Sequence, residues 1–145
     1  MGVAVACLAA RAHHLRRWEV PRSSYPVGRV SYLRWRKDQK ARHARDIEVI
    51  LRSVGYESDV IERVQALVRR DNLGSDAHAQ VVEDAACLVF IETQLADMAE
   101  RLDHERLLDV IRKTARKMSE QGRALIEQLT IASMERGLID EAFAE

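Results

Sequence analysis

The amino-acid sequence predicts an all-α fold, a single domain of about five to six helices spanning residues 1–145, and three observations carry that expectation. No segment shows the strict apolar–polar alternation of a half-buried strand. Gly is 6 and Pro 2 in 145 residues, so there is little loop material and no low-complexity tract. Aromatic residues are 5%, too thin for a β-sandwich, while hydrophobic residues are 47% and charged residues 32%, a soluble globular profile. A chain of this length can build a hydrophobic core without disulfides or a structural metal.

The elements follow in order. Residues 2–18 have helical composition and are apolar nearly all round, the pattern of a helix buried on most sides. That helix starts directly in hydrophobic sequence with no capping residue, so the fold is expected to continue upstream of residue 1. Glu19 to Gly28 is a loop stiffened by Pro21 and Pro26. A second helix is expected from Arg29 to Val54, stopped by Gly55. A third runs from Ser58 to Arg70, followed by the loop "DNLGSD". A long helix from Asp76 to Arg101, another from His104 to Gln128, and a short one beginning near Ile131 complete the chain. No internal repeat is evident.

The formal net charge of +0 hides an asymmetry. Residues 1–45 hold 11 Lys and Arg against only Glu19 and Asp38, and residues 46–145 hold 12 basic against 21 acidic residues. The split suggests an anionic ligand at the basic end, from phosphate to nucleic acid, or else a pairing of the two halves with each other. Cys7 and Cys87 show no zinc or redox spacing and read as reduced core residues of a cytoplasmic protein. The opening MGVAVACLAA lacks a basic flank and is too short to span a bilayer, so neither targeting nor a membrane is expected.

Three polar residues interrupt apolar helical stripes. Val3, Cys7, Ala10 and His14 share one face; His43 shares another with Ile47, Ile50, Leu51 and Val54; and Asp84 lies within Ala77, Val81, Leu88, Ile91 and Leu95. A buried charge is costly unless it is paired or holds a metal, so His14, His43 and Asp84 are a candidate ligand set for one divalent transition metal. Against this, a lone histidine on an apolar face is usually a satisfied core residue, and Asp84 could instead pair with an arginine. Arg16, Arg17 and Arg22 cluster after His14, with Trp18 and Tyr25 among them. Guanidinium forks suit phosphate oxygens and the aromatics suit stacking, so these five are candidate substrate-binding residues. Arg34, Arg36 and Lys37 read instead as a charged helix face.

The stretches "AHHLRRWEVPRSSYP", "YLRWR", "RHARDIEVILRSVGY" and "VVEDAACLVFIE" resemble the family catalogued as domain of unknown function 4202, from about Ala9 to Gly122. The resemblance implies a further helical stretch before residue 1. The chain also resembles, more loosely, the HD superfamily of helical metal-dependent phosphohydrolases. That resemblance implies an HD-like fold lacking the family's first helix, with His43 as an additional histidine and Asp84 as the late-helix aspartate. The sequence departs from it at His13-His14, where a His-Asp pair belongs, and at Arg69 to Asn72, where histidines are expected.

The combined reading is a metal-dependent phosphohydrolase acting on a nucleotide or small phosphorylated metabolite. The metal would sit at His14, His43 and Asp84 and activate water. Arg16, Arg17 and Arg22 would hold the phosphate. Glu83 or Glu48 would orient a ligand or the water. The alternative is a catalytically inactive helical module that binds a nucleotide or RNA. The blandest alternative is an assembly protein held by its charge asymmetry.

Overall fold

The structure, a computed structural model, describes residues 2–71 and 73–144. Among them the fold is all-α: α1 (Gly2–Ala12), α2 (Arg29–Ser53), α3 (Ser58–Arg69), α4 (Ala77–Ala99), α5 (His104–Ala115), α6 (Glu120–Ala124) and α7 (Ser133–Phe143), with three short 3₁₀ turns. The chain divides into two compact units, Met1–Val82 and Glu83–Glu145. No helix among the described residues is long and apolar enough to cross a membrane.

In the first unit α1, α2 and α3 pack together, with the start of α4 against them. The core is built from Val5, Ala6, Ala9 and Ala12 of α1, Ala44, Ile47 and Leu51 of α2, and Ile61, Val64, Leu67 and Val68 of α3. Four small or β-branched residues on α1 bring its backbone close to α3. The expected phase of α1 is therefore corrected. Val3 is 79% exposed and Cys7 is exposed, whereas Val5 and Ala9 are buried. A helix apolar nearly all round gives periodicity no means to choose a face. The same ambiguity placed its end too late, because α1 stops at Ala12 and the chain turns at His13 to Arg16.

α2 ends as expected. Gly55, at φ 85°, lets the chain reverse while Tyr56 N–H donates to the Leu51 carbonyl. α3 ends without glycine: Arg70 takes φ 60° itself and its N–H donates to the Leu67 carbonyl at 3.0 Å. Asn72, one of the four residues where histidines were expected, lies outside the described residues, as do Met1 and Glu145. The start of α4 is held by Asp76. Its carboxylate caps the N–H groups of His78 and Ala79 and accepts a forked pair of bonds from Arg63.

The second unit has its own core of Cys87, Ile91, Leu95, Leu107, Leu108, Ile111, Met118, Ile126 and Ile139. α5 packs on α7. The single helix expected over His104–Gln128 is broken after Ala115, with α6 restarting at Glu120. Ser119 makes the break by turning its hydroxyl to cap the Gly122 N–H at 2.9 Å.

Candidate functional site

The turn that follows α1 is built by a short relay of backbone bonds. Leu15 N–H donates to the Ala12 carbonyl, Arg17 N–H to His14, and Glu19 N–H to Arg16. Arg16 sits in the left-handed region at φ 51°. Arg16 and Arg70 are the only non-glycine residues with positive φ among those described. Such backbone costs of order 1–3 kcal/mol and persists where surrounding contacts over-determine it.

This turn brings His14 and Arg17 together. The Arg17 guanidinium donates to His14 Nε2 at 2.9 Å and lies 4.9 Å from the centre of the Trp35 ring. Trp35 is fixed in turn, because its indole N–H and the Gln39 amide both donate to the Val20 carbonyl, at 3.0 and 2.7 Å. Burial, the neighbouring His13 ring and the Arg17 charge hold the pKa of His14 down to about 4, with smaller contributions from His43 and Arg70. His13 itself donates to the Ala10 carbonyl at 2.7 Å, its ring 4.0 Å from that of His14.

His43, on α2, is 2% exposed. Burial is the main force lowering its pKa; a hydrogen bond to the Leu15 backbone works in the opposite direction. Its Nδ1 has no hydrogen-bond partner among the described residues. The first unit therefore gathers two neutral imidazoles, the Arg17 guanidinium and the charge of Arg70 at the end of α3.

The other expected residues have different occupations. Arg22 donates to the carbonyls of Tyr25, Pro26 and Gly28 at 3.0, 2.9 and 3.3 Å, stapling the proline-bracketed loop. Tyr25 donates its hydroxyl to Asp38 at 2.8 Å. Trp18 is 76% exposed, and Arg16 faces solvent from its left-handed turn. Glu48 accepts from Gln65 and from Arg52, both at 2.9 Å. Glu83 is buried in the second unit. Asp84 is also buried there, and its two oxygens accept from the Ser119 N–H at 2.8 Å and the Ser119 hydroxyl at 2.5 Å.

Among the described residues no group of three or more His, Cys, Asp or Glu side chains gathers as a metal centre. The donor chemistry agrees, since His14 Nε2 faces a guanidinium and both Asp84 oxygens carry hydrogen bonds. Sequence reasoning missed Arg70, whose only signal was its place in "RRDN"; a left-handed arginine cannot be read from composition. It also missed Arg42, which lies between Glu19 and Asp46 beside His43.

A family model, the domain of unknown function (DUF4202), matches residues 3–139. The chain belongs to the DUF4202 family. The match runs through both compact units, so the DUF4202 region includes the His14–Arg17 corner and the Asp84–Ser119 pair alike. No curated protein and no solved structure matches this DUF4202 chain.

Proposed function

We propose that the corner formed by His14, Arg17, His43 and Arg70 binds the phosphate of a small phosphorylated metabolite or nucleotide. The observation that supports this is the Arg17 guanidinium, braced over Trp35 and aimed at an imidazole held neutral. The Arg17 and Arg70 charges both act on His14 there, which favours an anion over a cation. The neutral imidazoles add hydrogen-bonding capacity for phosphate oxygens or for an ester hydroxyl. A second reading, metal-dependent phosphohydrolysis, is favoured by one feature, that neutral imidazole is the form a metal binds.

Titration of inorganic phosphate, followed by NMR of the histidine rings and by calorimetry, tests the binding reading. Arg17→Ala removes a charge-assisted bond of about 1.5–3 kcal/mol, so affinity falls by roughly 10- to 150-fold. Unchanged affinity in that variant would refute the site. Elemental analysis of the untagged protein beside His14→Ala decides the second reading: one transition metal per chain, lost in the variant, would establish it.

A further inference from the structure

α2 carries a second set of cations away from its buried positions. It turns Trp35, Gln39 and His43 inward, while Arg36, Lys37 and Lys40 line a cleft of about 390 Å³ completed by Arg69 and Asp71 at the end of α3. The cleft shares none of its lining with the His14–Arg17 corner. Its size lies in the range of small-molecule sites.

The lining is chemically graded. Four cations face one carboxylate, a net charge of +3, in the same cleft as apolar wall from Leu33 and Ala41. Leu33 is 50% exposed although it lines a recess. The Arg36 guanidinium lies 5.7 Å from the centre of the Tyr32 ring, which supports it from below. Lys37 has no acidic partner among the described residues. Asp71 accepts from Arg69 Nε at 2.8 Å, and a carboxylate has capacity for further donors. A lone sulfate-sized anion would use the cations and ignore the rest. A ligand matching every wall carries several phosphates, hydroxyl donors and an apolar face.

We propose that this cleft is a binding site for a nucleoside triphosphate. The phosphate chain lies along Arg36, Lys37 and Lys40, a ribose hydroxyl donates to Asp71, and the base rests against Ala41. The packed pair α2–α3 supplies a rigid frame for it. The site is independent of the phosphate corner, so either assignment can fail without the other.

Fluorescence polarisation of N-methylanthraniloyl-ATP with the full chain tests the proposal. The expected result is saturable binding, weakened at least tenfold in Arg36→Glu and in Lys37→Glu, with both variants retaining the helical circular dichroism of the parent. Unlabelled ATP displaces the probe, and inorganic triphosphate does so at least threefold less effectively. Arg34→Ala, which removes an exposed α2 cation outside the cleft lining, leaves the probe's affinity within twofold. The proposal is overturned by an absence of saturable binding, by a loss in Arg34→Ala as large as that in Lys37→Glu, or by inorganic triphosphate matching ATP. Displacement by a single-stranded oligoribonucleotide at lower concentration than ATP overturns it too, in favour of a nucleic-acid track.

Discussion

His14 shows at one residue how a local turn sets chemistry. The sequence marked it as a polar interruption of an apolar stripe, yet the stripe was the wrong one and the histidine lies beyond the helix end. Its chemistry comes instead from Arg17 three residues later and from groups on α2 and α3. Since its folded pKa of about 4 lies below the ordinary 6.5, the unfolded chain takes the proton first as pH falls. The contribution is present above about pH 6.5 and is lost between there and about pH 4. Denaturation midpoints from pH 7 to 4 should therefore drop more steeply for the parent than for His14→Gln, and the ring should titrate near 4 by NMR. Equal slopes would show that the ring is solvated as in a peptide. Asp84 teaches the converse. A buried carboxylate on a stripe looked like a metal ligand, but Ser119 satisfies it. Gly122 packs directly against that carboxylate, and a Cβ there would overlap it. Gly122→Ala is expected to cost about 1–3 kcal/mol of stability, read from urea unfolding, with no effect on metal content.

Helix boundaries carry the next set of predictions. α4 begins at a cap that is also an ion pair, for Asp76 holds two backbone N–H groups and the Arg63 fork. The Arg63 bonds, ahead of the backbone ones, lower the Asp76 pKa from 3.8 to about 2. That contribution is complete above about pH 3.8 and disappears as pH falls through about 2. Asp76→Ala should destabilise the first unit by about 1–2 kcal/mol at pH 7, with a difference from the parent that narrows toward pH 2. A constant difference across that range would remove the ionised cap from the account. Ser119 has a similar double duty, donating to Asp84 while accepting from Gly122 N–H. Ser119→Ala should cost about 1–2 kcal/mol and raise hydrogen exchange at Gly122. Its reach to Asp84, 35 positions away, explains why a continuous helix over His104–Gln128 was the natural reading from sequence.

Across the whole molecule the charge asymmetry coincides with the division into compact units. Met1–Val82 holds 15 basic and 9 acidic residues, a net +6, and Glu83–Glu145 holds 8 and 14, a net −6. The corner and the cleft both lie in the cationic unit. Binding of a phosphate-bearing ligand should therefore weaken steadily as salt rises from 50 to about 300 mM, because exposed charges are screened over about 10 Å at 0.1 M. Calorimetry showing no salt dependence would mean that hydrogen bonds alone hold the ligand.

The sequence by itself determined the helical fold, because missing strand alternation, sparse Gly and Pro, and signals such as Gly55 act locally. It also determined which third of the chain is basic. Only the tertiary structure decided which face of α1 is buried, that Arg22 and Glu48 are held by their own neighbourhood, that Asp84 belongs to Ser119, and that Arg70 joins His14. These outcomes depend on contacts between residues far apart in the chain, and on left-handed turns at Arg16 and Arg70 that no local propensity favours. Periodicity reports a repeat, but where most of a helix is apolar it cannot report which side meets the core.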